Sequence, residues 1–144
     1  MAHLYRHTQI GWAIIIPADI AAVVAVYFGI ARSEPSAVIA FFLLLILTYL
    51  FYGLTVIGTH ETLEIRFGIG IIRKRFNLRE IVTAEPYRTR FRDGWGIRYC
   101  SGGWLYNVSG FDAVRLTMTD GKHYVIGTDE PSKLIGFLQK RDRP

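Results

Sequence analysis

Groups able to carry covalent or metal chemistry are scarce in this chain. Its 144 residues include one cysteine, Cys100. A lone thiol closes no internal disulfide, so no oxidising compartment is implied. Four histidines are spread along the chain. His60 and His123 stand without metal-ligand spacing. His3 and His7 read as polar residues flanking an apolar segment rather than as a metal pair. No Gly-x-Ser-x-Gly elbow is present around Ser101, where the sequence is Tyr99-Cys100-Ser101-Gly102-Gly103. Nothing ties His123 to Cys100 as a base, so Cys100 reads as a small, half-buried side chain. There is no Walker loop, and Gly68-Ile69-Gly70 lacks the third glycine and the helix of a dinucleotide fingerprint. The expectation is a protein that is not an enzyme and uses no cofactor and no metal.

Charge is nearly missing from residues 10–58, where only Asp19, Arg32 and Glu34 carry it. Two apolar runs, 10–31 and 37–58, are split by Arg32-Ser33-Glu34-Pro35-Ser36. A bilayer core takes roughly 20 apolar residues in helical form, so each run predicts a transmembrane helix and the break predicts a tight turn. Residues 1–58 then form an N-terminal segment and membrane hairpin, and residues 59–144 form one soluble domain. Trp12 falls where aromatic belts sit. Asp19 lies well inside the first run, two residues after Pro17, which loosens the helix around it. An acid at that depth needs a partner or a proton. Thr48, Tyr49 and Tyr52 on the second helix are the candidates within the chain, and a helix of another subunit is the candidate outside it. Ala21, Ala25 and Gly29 recur every four residues, a stripe that lets helices approach closely. Such a thin bundle favours an integral membrane partner or a homo-oligomer. The five-residue turn has one Arg, whereas the other side has Arg6, Arg66 and Arg73-Lys74-Arg75. The bias of basic residues in short flanking loops therefore predicts both termini and the domain in the cytoplasm.

The basic excess belongs to the soluble part. Residues 59–144 hold fifteen Lys/Arg against ten Asp/Glu, the whole of the net +5. Such a balance suits an anionic lipid surface or an acidic partner. With no RNA-binding signature in a membrane-held domain, nucleic acid is not expected. From residue 62 the apolar period becomes two, with Leu63, Ile65 and Phe67 against Glu64 and Arg66, the mark of a half-buried strand. Seven short strands are predicted, at 62–67, 71–76, 81–87, 97–99, 105–108, 112–118 and 122–126. Asp120-Gly121 makes the last pair a hairpin, and tight turns make the set antiparallel. Thr128 or Asp129 caps a final helix with Pro131 in its first turn; Leu134, Phe137, Leu138 and Arg141 share one face of it. In strand geometry Arg88, Arg90 and Arg92 point to one side. With Trp95 behind them, they form a candidate grip on phosphates or an acidic surface. Arg73, Lys74 and Arg75 form a second candidate, close in sequence to the membrane.

Seven antiparallel strands closed by a C-terminal helix form the outline of the pleckstrin-homology superfold. The sequence resembles the bacterial PH-like domains that directly follow one or two membrane helices. Thr62-Leu63-Glu64-Ile65, the stretch 71–81, and Phe111-Asp112-Ala113-Val114-Arg115-Leu116 through Tyr124-Val125-Ile126-Gly127-Thr128-Asp129-Glu130-Pro131 carry the resemblance, which covers about residues 59–140. It implies a cytoplasmic PH-like barrel or sandwich, held by its hairpin at the inner membrane of a bacterium. It further implies an accessory role, since some relatives assist assembly of membrane complexes, photosynthetic ones included. The eukaryotic phosphoinositide site is not expected to carry over.

Overall fold

A computed structural model describes residues 4–140; His3 and Arg141 lie outside them. The chain begins with a strand, β1 (Tyr5–Ile10), followed by helices α1 (Trp12–Arg32) and α2 (Pro35–Phe51). Seven of the eight later strands are β2 (Gly53–Gly58), β3 (Thr62–Phe67), β4 (Ile72–Asn77), β5 (Ile81–Arg88), β6 (Gly96–Cys100), β7 (Gly103–Asn107) and β8 (Asp112–Met118). The last is β9 (His123–Gly127), and helix α3 (Pro131–Lys140) closes the chain. Two sheets result, ordered β1-β2-β3-β4 and β5-β8-β9-β7-β6. The architecture is an N-terminal helical pair plus a β-rich region.

The seven expected strands are all present, and β1 and β2 are additional. One pairing departs from the antiparallel expectation, because β7 and β9 run parallel. The second helix is shorter than its apolar run. It stops at Phe51, and Gly53–Gly58 becomes a strand between β1 and β3. Thr55, Val56 and Ile57 are β-branched, which favours extended backbone once a partner strand is at hand. An apolar run alone does not distinguish a buried strand from the end of a membrane helix.

The helical pair is therefore an insertion within one β-pair. The ladder runs from Tyr5↔Gly58 to Ile10↔Gly53, and the Gly11 N–H donates to the Tyr52 carbonyl at 2.7 Å. A Cβ on Gly11 would lie 2.6 Å from the Phe51 carbonyl oxygen, so only glycine fits where the chain enters the helices. Between the helices, Ser33 takes a left-handed conformation (φ 52°) and Pro35 opens α2, a position where its missing N–H costs nothing. At 1.5 Å per residue the 21 residues of α1 span about 32 Å and the 17 of α2 about 26 Å. α1 is long and apolar enough to cross a membrane; α2 is a shorter apolar helix.

The core lies between the sheets and under α3. Leu54, Val56, Leu63, Ile65 and Phe67 meet Val114, Leu116 and Ile126, with Leu134 and Leu138 of α3 closing the end. Each such side chain contributes about 1.5–3 kcal/mol on burial. Phe137 stacks on Tyr5 at 5.6 Å, so α3 also holds β1. His7 extends this hold, meeting Asp129 at 2.5 Å and Glu130 at 3.3 Å. It is thus a strand residue tied to the α3 entry, not one flanking a helix.

Candidate functional site: a basic sheet face at the helix base

Residues directly opposite in neighbouring strands share a face of the sheet. On the outer face of the first sheet, register aligns Arg6, Ile57, Glu64 and Arg75 in one row. The next row, closer to the helices, is Thr8, Thr55, Arg66 and Arg73. Four guanidiniums from β1, β3 and β4 thus converge on one face with a single carboxylate among them. The Thr8 and Thr55 hydroxyls bond each other at 2.9 Å beside them. Guanidinium forks and hydroxyls are the donors that suit a phosphate or carboxylate.

Glu64 sits at the centre with its side chain only 8 % exposed. It accepts from Arg66 Nε at 2.5 Å, and from Arg75 Nε and Nη2 at 3.0 and 2.8 Å. Burial pushes its carboxyl up, but the hydrogen bonds and charges of Arg66 and Arg75 outweigh this and hold it below the usual carboxylate value. Both arginines keep water contact, at 42 % and 64 % side-chain exposure. Among the described residues Arg73 has no carboxylate partner, and it faces Arg66 directly. Like charges opposed across a ladder are unfavourable unless an anion joins them.

Of the expected basic triplet, Arg73 and Arg75 belong to this face and Lys74 does not. Alternation puts Lys74 on the opposite face, in the row of His7, Val56 and Ile65, where it stays exposed with its ammonium 5.7 Å from the centre of the Tyr124 ring. Arg6 and Arg66 are the members that local sequence reading missed. The alternation of Glu64 and Arg66 with Leu63 and Ile65 gave their side of the strand, but not their neighbours.

The expected row of Arg88, Arg90 and Arg92 forms only as far as Arg90, and Arg92 leaves it. β5 ends at Arg88, opposite Asp112, and Phe91–Asp93 is a single tight helical turn. Thr89, buried between exposed Arg88 and Arg90, donates to the Phe111 carbonyl, and buried Asp93 accepts from the Arg90 N–H at 2.7 Å, so the period of two is lost beyond Arg90. Trp95 packs between Phe91 and Phe111, at 5.7 and 6.2 Å, and donates to the Gly110 carbonyl at 3.2 Å. The neighbouring Ser109 carbonyl accepts from Gln9 at 2.9 Å, which sets this aromatic cluster beside the start of α1.

In the helical pair, Ala18 and Ala22 are buried, and a Cβ on Gly29 would lie 3.1 Å from that of Ala37. Ala25 is half-buried, so the seam follows Ala18, Ala22, Ala25 and Gly29, and Ala21 faces outward. Pro17 and Asp19 are exposed. Asp19 opens into an apolar groove of about 320 Å³ with Ala22, Val23, Val26, Phe41 and Leu45. Among the described residues it has no hydrogen-bond or ion-pair partner. Tyr49 and Tyr52 do not reach it; they pair with each other at 6.4 Å in a second groove.

No family model matches this chain, and no curated protein or solved structure matches it. The functional reading therefore stands on geometry.

Proposed function

We propose that this chain is a membrane-anchored, non-enzymatic accessory subunit that binds, and helps assemble, other integral proteins of a membrane complex. In this reading α1 and α2 both cross the inner membrane of a bacterium, with both termini cytoplasmic and the β-rich region, PH-like in kind, held beneath them. The observation that carries it is Asp19. A carboxyl on the outside of an apolar hairpin, without a partner among the described residues, costs about 2.5–3.5 kcal/mol in hydrocarbon on insertion scales. A donor on a neighbouring transmembrane helix removes that cost. The insertion of the hairpin within the β1–β2 pair supports the same reading, since paired strands set the height and angle at which the region meets a partner.

Purification from native membranes after crosslinking tests it. Recovery of a stoichiometric integral membrane protein is expected, and Asp19→Leu is expected to cut that recovery tenfold or more, the equivalent of about 1.4 kcal/mol. Recovery of lipid alone, or of the same partner in undiminished amount with Asp19→Leu, would sink the proposal.

A second reading, binding of anionic lipid headgroups, is favoured by the outer face of the first sheet. Juxtamembrane basic residues attract anionic lipid by about 1 kcal/mol each. Arg66→Glu with Arg73→Glu is therefore expected to lower phosphatidylglycerol retention in mixed micelles about thirty-fold, read by native mass spectrometry. Equal retention by the double variant rejects it.

A further inference from the structure

We infer that the β3–β4 turn, Gly68-Ile69-Gly70-Ile71, is a wedge that inserts at the hydrocarbon–headgroup boundary of the protein's own bilayer and seats the β-rich region there. The inference rests on the membrane-spanning reading of the helical pair. Turns are ordinarily built from polar residues, glycine and proline. This one instead exposes Ile69 at 44 % and Ile71 at 67 %.

The turn is pressed against the end of α2. Gly68 has φ +48°, and a Cβ there would lie 2.5 and 2.4 Å from the carbonyl oxygens of Tyr49 and Leu50. Its N–H donates to the Gly53 carbonyl at 2.8 Å. Ile69 and Ile71 line one apolar groove, about 740 Å³, together with Leu45, Ile46, Tyr49 and Tyr52. Tyrosines at a helix end mark the level where hydrocarbon gives way to headgroups. The isoleucines share that level.

Two residues back from the turn, about 7 Å along the strands, stand Arg66 and Arg73, opposed in register, Arg66 bonded to Glu64 and Arg73 without a carboxylate partner among the described residues. An apolar tip followed by a cation pair matches the order of layers in an anionic bilayer, acyl chains first and phosphates next. Bilayer lipid is thus the occupant that satisfies both features at once.

The single native thiol makes the test direct. In the full chain with Cys100→Ser, cysteines are introduced one at a time by Ile71→Cys, Ile69→Cys, Val24→Cys and Lys122→Cys. Val24 lies exposed within α1, and Lys122 in the β8–β9 turn, where Thr119 bonds Glu80 at the far end of the β-rich region. Each is labelled with a polarity-sensitive fluorophore in phosphatidylcholine–phosphatidylglycerol nanodiscs, then challenged with lipid-borne nitroxide and with aqueous iodide.

The expected result is loss of fluorescence to shallow nitroxide, and protection from iodide, at positions 69 and 71. Position 24 should lose fluorescence to deep nitroxide, and position 122 to iodide alone. If 69 and 71 behave like 122 while 24 stays lipid-quenched, the hairpin is in the membrane and the wedge is not, which overturns the inference. Protection from both quenchers at 69 and 71 means a protein covers the turn, which also overturns it. If 24 is open to iodide, the membrane-spanning reading itself fails and the wedge fails with it.

Discussion

Replacing Glu64 by Gln probes the basic face at its centre. The native carboxylate accepts three hydrogen bonds from two guanidiniums. Gln keeps one neutral acceptor and turns an amide N–H₂ toward a cation. Bonds to charged groups contribute about 1.5–3 kcal/mol when shielded. Here Arg66 and Arg75 are 42 % and 64 % exposed and regain water, so the net loss is discounted to about 1–2 kcal/mol. For a β-rich region of this size, that lowers the melting temperature by about 4–15 °C. The pH dependence has a definite sign. The folded carboxyl titrates below its ordinary value of 4.5. Its stabilisation is therefore fully present above that value and is lost as pH falls through the lower, folded one. Near-ultraviolet circular dichroism melts in micelles should show native and Glu64→Gln proteins apart at pH 7 and converging toward pH 3. The same variant removes one negative charge from the face, raising its net charge by one, so phosphatidylglycerol retention should rise while stability falls. Equal melting temperatures at pH 7, or a gap that persists unchanged at pH 3, would refute the account of Glu64 as an ion-paired acceptor.

Two further substitutions test the packing. Leu134→Ala removes a fully buried side chain that locks α3 onto the core. It should cost about 2–5 kcal/mol and abolish cooperative melting of the β-rich region near physiological temperature. His7→Gln removes both carboxylate contacts between β1 and the α3 entry. Because Asp129 is well exposed, the loss should stay below about 1 kcal/mol, with a melting shift of only a few degrees in the same assay.

Much of the β-rich region was legible because strand signals are local. The alternation of Leu63, Ile65 and Phe67, the Asp120-Gly121 turn and Pro131 at a helix start each depend on a handful of neighbouring residues. β1 was not legible, since Tyr5–Ile10 shows no apolar alternation, and its partner lies across the entire helical pair. The tail of α2 was misread for the opposite reason, being apolar enough for either environment. The arginine row stops after Arg90, where Asp93 captures the Arg90 N–H and the Phe91–Asp93 turn ends the extended backbone. Asp19 was legible as an anomaly, but its isolation was not. Helical rotation, and not depth alone, keeps Tyr49 and Tyr52 away from it.

The sequence by itself determined a nearly charge-free helical pair, a β-rich remainder, and a basic excess confined to that remainder. These follow from composition and period, which need no partner to be expressed. Only the tertiary structure decided that β1 and β2 close around the helices, and that Arg6, Arg66, Arg73 and Arg75 share one face around Glu64. It alone decided that Ile69 and Ile71 stand beside Tyr49 and Tyr52. Strand register sets all three, across the helical pair for β1–β2 and between consecutive strands for β2–β3 and β3–β4. It is chosen by burial of the opposite face, where a slip of one residue would turn Leu63, Ile65 and Phe67 out of the core.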